Sequence, residues 1–135
     1  MRTSLTAIPT KQPDGKANGV VLPIWRADSG ETIAQVYLTT IEPGTVKGPH
    51  LHMRRCGRFT CIKGDIEVTV RLEDGTYATY FSGEKHGYAT VFVAPGLPAR
   101  LRCLSDTPAM VLNMPTPAWS KEDQDEWTVE EWDPR

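Results

Sequence analysis

Apolar and polar residues alternate along much of this chain with the two-residue period of a β-strand, and the 3.6-residue period of a helix is almost absent. Ile66, Val68, Val70 and Leu72 take one side of residues 66–72, while Glu67, Thr69 and Arg71 take the other. Further strand-like runs cover 20–25, 33–41, 46–54, 58–63, 76–81, 88–93, 99–104 and 109–114. Turn chemistry separates them. Glu42-Pro43-Gly44 is a turn, Gly64-Asp65 and Glu73-Asp74-Gly75 read as hairpin turns, and 82–87 is a polar loop. Short, closely and regularly spaced strands, about eight of them, predict an all-β antiparallel sandwich or barrel. The tail beyond Pro115 breaks the pattern. It is acidic, carries Trp119, Trp127 and Trp132, and is expected to hold a helical turn near 120–126. Tryptophans this frequent in a polar segment predict that it packs back on the barrel or on a second subunit. Neither a repeat nor a second domain is visible, so residues 1–135 read as one domain, with the barrel over 20–115 and the tail over 116–135.

Composition narrows the class. A chain of 135 residues can bury a real core. A net charge of −2 with 24% charged residues favours neither disorder nor bulk nucleic-acid binding. Cys56, Cys61 and Cys103 are odd in number and lack a CxxC spacing, which argues against a disulfide framework and for a reducing cytoplasm. The first residues contain no apolar run suited to a signal peptide, and no stretch is apolar enough for a membrane helix. A cytoplasmic protein with no nucleic-acid or membrane partner is expected.

Candidate chemistry concentrates in Lys47-Gly48-Pro49-His50-Leu51-His52. On a strand, residues two apart share a face, so His50 and His52 project together while Leu51 and Met53 point the other way. Two imidazoles inside a barrel need polar partners and make poor core filler. A solvated outer face, half of a metal site and a proton-transfer pair all remain open on spacing alone.

Context supplies more. Gly44, five residues, His50-x-His52, and Gly64 twelve residues later resemble the first motif of the cupin superfamily. Val91-Phe92-Val93-Ala94-Pro95-Gly96 resembles the start of the second. The resemblance covers roughly residues 35–115 and implies an antiparallel double-stranded β-helix, the cupin jelly-roll barrel. Metal cupins add a Glu to the first motif and a His to the second. Here Gly57 stands at the Glu position, and Pro98-Ala99-Arg100 fills the place of the His. The resemblance therefore implies no metal cofactor; if one were bound, His50 and His52 would hold it.

The Lys47–His52 run is closer to the Arg-Gly-x-His-Ala-His run of the dTDP-4-keto-6-deoxyglucose 3,4-ketoisomerases, and Phe59–Gly64 parallels their following strand. The related dTDP-4-dehydrorhamnose 3,5-epimerases share the basic-Gly-x-His run, and their Gly-Lys-Leu is echoed by Gly57-Arg58-Phe59. Three departures stand out. Lys47 replaces the family's Arg and loses the bidentate fork. Gly57 replaces the ketoisomerase Gln, and the epimerases' catalytic Tyr falls near Asn113.

What this resemblance implies is a metal-independent isomerase or epimerase acting on a keto-deoxy sugar nucleotide by proton transfer beside the carbonyl. Isomerisation is favoured over rhamnose-type epimerisation. His50 and His52 are the catalytic candidates, since imidazole titrates at about pH 6.5, near working pH. Lys47 and Arg58 are candidate anion anchors, and Tyr37 and Asn113 candidate sugar or base contacts. Arg54, Arg55, Arg100 and Arg102 read as a solvated basic edge, and Cys61 and Cys103 as core fillers. A metal-binding cupin dioxygenase or isomerase and a non-catalytic sugar-binding cupin are the competing expectations. A homodimer is expected, as is common in this superfamily.

Overall fold

A computed structural model describes residues 1–135. It contains eleven strands: β1 (Arg2–Ser4), β2 (Ile8–Lys11), β3 (Ala17–Val21), β4 (Tyr37–Ile41), β5 (Val46–His50), β6 (Gly57–Lys63), β7 (Asp65–Arg71), β8 (Tyr77–Gly83), β9 (Ala89–Val93), β10 (Ala99–Cys103) and β11 (Ala109–Asn113). One short 3-10 turn lies at Ala27–Ser29. No helix is long and apolar enough to cross a membrane.

Two sheets form the barrel. One has the order β1-β9-β6-β11-β4 and the other β5-β10-β7-β8, with antiparallel pairing throughout. From β4 onward the chain crosses repeatedly between them, β4 in the first, β5 in the second, β6 in the first, β7 and β8 in the second. This winding is the expected all-β jelly roll. Ile66, Val68 and Val70 of β7 meet Cys61, Val91, Val111 and Ile41 of the facing sheet in one core. The two-residue period of β7 thus reports its buried face. Leu72 drops out at the turn and is partly exposed, while Thr69, on the polar side, is buried.

Several boundaries differ from the sequence expectation. The run 20–25 is a strand only as far as Val21, in an N-terminal β2–β3 hairpin that forms its own two-stranded sheet. The run 33–41 shortens to β4, and 46–54 ends at His50. Strand β1 has no alternation to announce it and is held by main-chain pairing to β9. Gly64-Asp65 is no hairpin: β6 and β7 belong to different sheets, and the chain crosses the barrel there. Glu73-Asp74-Gly75 does close a hairpin, β7–β8, with Leu72 N–H donating to Thr76 O at 2.7 Å.

No helical turn forms over 120–126. The tail instead runs extended against its own barrel. Trp127 N–H donates to Leu51 O at 3.0 Å, and Trp132 meets Tyr77 edge-on with ring centroids 5.1 Å apart. Main-chain and aromatic contacts to the barrel replace the hydrogen bonds a helix would have made within the tail.

Candidate active site

A cavity of about 210 Å³ opens between the two sheets. The five-stranded sheet contributes Tyr37, Thr39, Gly57, Phe59 and Asn113, the four-stranded sheet contributes Lys47, His50, Ala99 and Leu101, and the tail adds Trp119 and Glu126. His52, Arg55 and Cys56 enter from the segment joining β5 to β6.

His50 ends β5 and sits opposite Ala99 of β10. His52 lies beyond the strand, yet the two imidazoles stand nearly parallel, with centroids 6.1 Å apart and planes 20° apart. The tail holds the chain extended past the strand end, through a bridge between Leu51 and Trp127. The shared face anticipated for a longer strand therefore survives without one.

Their surroundings differ. His50 is half-exposed, with Nδ1 3.8 Å from the Glu126 carboxylate. His52 Nδ1 lies 2.8 Å from the Asp125 carbonyl oxygen. A carbonyl only accepts, so this nitrogen carries the hydrogen and Nε2 is the ring's acceptor. The guanidinium Nη2 of buried Arg55 stands 3.3 Å from both ring nitrogens, against the face of the imidazole rather than in line with the Nε2 lone pair. Burial pushes the His52 pKa below its ordinary value; the positive Arg55 adds to this, and the Asp125 carbonyl and Glu126 oppose it.

The opposite wall is a chain of hydrogen bonds. Arg58 N–H donates to Asn113 Oδ1 at 3.0 Å, so the amide's Nδ2 faces the Tyr37 hydroxyl, to which it donates at 2.8 Å. Tyr37 thus accepts from Asn113 and keeps its own hydrogen for another partner. Asn113 is paired with Tyr37 across β11 and β4. Lys47 Nζ donates to Thr39 Oγ1 at 2.6 Å and retains two further hydrogens.

Five of the six expected site residues, His50, His52, Lys47, Tyr37 and Asn113, line this one cavity. Arg58 does not. Strand alternation puts Gly57 and Phe59 on the cavity side and turns Arg58 to the outer side of the sheet. There it pairs with Glu31 at 3.1 Å, donates to Met114 O and Thr116 Oγ1, and lies 5.5 Å from the Phe92 ring centroid. It is a structural cation, not an anchor beside the histidines. Arg55, expected on a solvated basic edge, is instead buried beside His52, and Glu126 and Trp119 carry no local signal that marks them as site residues. The two tail residues reach the cavity only through tertiary packing.

The donors present do not fit a metal. No group of three or more His, Cys, Asp or Glu side chains comes together. A Cβ at Gly57 would stand 2.5 Å from Phe59 Cε2, so the Phe59 ring occupies the space a ligand side chain would need. Ala99 lines the cavity where a second-motif histidine would project. His86 is bound elsewhere, with Nδ1 3.0 Å from Asp65 and its ring stacked on Phe81. Cys61 is an inert core thiol, pushed up to about 12 by burial.

No protein-family model matches the chain, and no curated protein does. Solved structures are similar to it. A dTDP sugar isomerase from Desulfovibrio desulfuricans G20 superposes with a TM-score of 0.82 over 97% of this chain and 85% of that one, at 22% identity. NovW, a 4-keto-6-deoxy sugar epimerase from Streptomyces spheroides, gives 0.74 over 98% and 70%, at 19% identity. QdtA, a sugar 3,4-ketoisomerase from Thermoanaerobacterium thermosaccharolyticum solved in complex with TDP, gives 0.69 over 96% and 89%, at 13% identity. The chain shares its fold with these proteins.

Proposed function

We propose that this protein is a metal-independent isomerase, or an epimerase, acting on a keto-deoxy sugar nucleotide by proton transfer beside the carbonyl. One observation carries the reading: two adjacent imidazoles, His52 held in one tautomer and His50 with Glu126 beside it, face a cavity whose far wall presents Tyr37 and Asn113. The fold shared with sugar-nucleotide isomerases and epimerases supports it.

Removing a hydrogen next to a ketone needs a base within reach and donors for the enolate oxygen. His50 takes the proton from the ring carbon, and the Glu126 carboxylate faces the imidazolium that forms. The bond electrons pass into a carbon–carbon double bond, and the carbonyl oxygen becomes an enolate. The Tyr37 hydroxyl, which keeps its own hydrogen, is the donor for that oxygen. For isomerisation, neutral His52 accepts the neighbouring hydroxyl's proton as the new ketone forms and passes it to the enolate oxygen, which becomes the new hydroxyl, while His50 returns its proton to the former carbonyl carbon. Asn113 in place of a tyrosine favours isomerisation over epimerisation.

Pockets that enclose a whole drug-sized ligand hold about 300–1,000 Å³. The smaller cavity here suits a sugar ring, with the nucleotide outside, along Lys47 and the Tyr37–Trp119 pair. The three free thiols suit a reducing, cytoplasmic setting. The homodimer belongs to the same proposal. An isolated two-stranded hairpin is marginal in water, and the β2–β3 hairpin exposes Ile8, Val20 and Val21. A second copy of the chain is the occupant proposed for that face.

Incubating the purified protein with dTDP-4-keto-6-deoxyglucose in deuterated water tests the reading. Deuterium is expected to enter a ring carbon, and His50→Asn is expected to lower the rate at least about 100-fold. Wild-type protein that exchanges no hydrogen in any keto-deoxy sugar nucleotide would sink it.

A further inference from the structure

Five consecutive tail residues each reach the histidine segment. Asp123 accepts two bonds from Arg54 Nη2, at 2.7 and 2.8 Å. The Gln124 carbonyl accepts from Arg55 Nη1 at 3.0 Å. Glu126 faces His50, and Trp127 N–H donates to Leu51 O. Asp125, at the centre, does most. Its carboxylate accepts from the backbone N–H of Met53 at 3.3 Å, Arg54 at 2.8 Å and Arg55 at 2.9 Å, and from the Trp127 indole at 3.0 Å. Its side chain is only 5% exposed. Its φ of +51° is left-handed, a conformation unfavourable for most side chains but open to Asp and Asn. With the carboxylate seated in the 53–55 turn, its main-chain carbonyl lies on His52 Nδ1.

We propose that Asp125 is a positioning residue for the histidine pair: by locking the tail into the 53–55 turn, it holds its own carbonyl on His52 Nδ1 and so sets which ring nitrogen carries the hydrogen. This rests on the proton-transfer reading above. The partner of one imidazole nitrogen decides the state of the other. Free histidine prefers the hydrogen on Nε2, so releasing the Asp125 carbonyl lets the ring revert and removes the acceptor that the hydroxyl proton requires. The same strap delivers Glu126 to His50, so one carboxylate orients both imidazoles. Asp125 touches no reacting atom; it acts through His52 and through the path of the chain. Burial alone would raise its pKa, but the N–H groups of Arg54, Trp127, Arg55 and Met53 outweigh that and hold the carboxyl well below the usual carboxylate range. The strap therefore carries its charge throughout the range in which imidazoles titrate.

Two variants of the full chain test the idea. Asp125→Gly removes the carboxylate without straining the left-handed backbone, and Asp125→Asn keeps the conformation and one acceptor oxygen. Imidazole nitrogen-15 shifts recorded above pH 7 are expected to show His52 protonated on Nδ1 in wild type, mainly on Nε2 in the Gly variant, and mixed in the Asn variant. Turnover is expected to fall about 100-fold for Gly and less for Asn, with KM within about threefold of wild type. If the Gly variant does not fold, the Asn variant alone decides. A folded variant that keeps both the Nδ1–H tautomer and wild-type turnover overturns the proposal. A wild type that shows the tautomer but exchanges no substrate hydrogen overturns the functional reading and leaves the strap standing.

Discussion

At the scale of single residues, placement decides chemistry more than identity does. Arg55 and Arg58 are both buried arginines three positions apart, yet one touches His52 and the other closes an ion pair on the far side of a sheet. Arg55 matters through charge. Its guanidinium, with burial as the larger cause, keeps His52 neutral below the usual imidazole range. The sign follows directly. A group whose folded pKa is depressed favours the fold while deprotonated, so its stabilising contribution is full above about pH 6.5 and is lost as pH falls through the lowered value. In a proton NMR titration the His52 midpoint is expected below 6.5, and Arg55→Met is expected to move it upward. An unchanged midpoint in the variant would show that Arg55 does not act on His52 electrostatically. Gly57 carries a different lesson. It stands where the resembled motifs carry a Glu or a Gln side chain, and the Phe59 ring fills that space.

At the scale of elements, β7 was legible because its buried face repeats every second residue and one face of the sheet meets the core. Gly64-Asp65 was not, because local turn chemistry is the same whether the next strand pairs back or crosses to the facing sheet. Only the pairing of β6 with β9 and β11, and of β7 with β8 and β10, separates the two. The crossing has a strict requirement at Gly64, whose φ is +75° and whose Cβ, if present, would press on the Ser105 hydroxyl and lie 3.3 Å from Ala109 Cα. Gly64→Ala is expected to lower stability by about 1–3 kcal/mol in urea unfolding. A variant as stable as wild type would mean that the crossing relaxes without strain.

At the scale of the whole molecule, the N-terminal hairpin is the part the barrel does not explain. Ile8, Val20 and Val21 lie about half exposed on a two-stranded sheet of their own. Light scattering during size-exclusion chromatography is expected to report a dimer for wild type. Val20→Glu combined with Val21→Glu is expected to report a monomer with an unchanged far-ultraviolet spectrum. A monomeric wild type at micromolar concentration would leave the hairpin without its proposed partner.

The sequence by itself determined the all-β class, most of the barrel strands and the pairing of His50 with His52 on one side of the chain. Hydrophobic period and residue spacing are local properties, and a jelly roll writes them into nearly every strand. His50, His52, Lys47 and Asn113 were singled out by motif position in the same way, and the structure sets them around one cavity. Tertiary structure alone decided that Arg58 faces outward, because one residue of strand register reverses a side chain's direction. It also decided that Asn113 turns its amide to Tyr37. It brought Arg55 onto His52, and it carried Asp125, Glu126 and Trp119 back to a site some seventy residues upstream in the chain. Contacts between residues so far apart have no period and no local signature, because the folded path of the chain creates them.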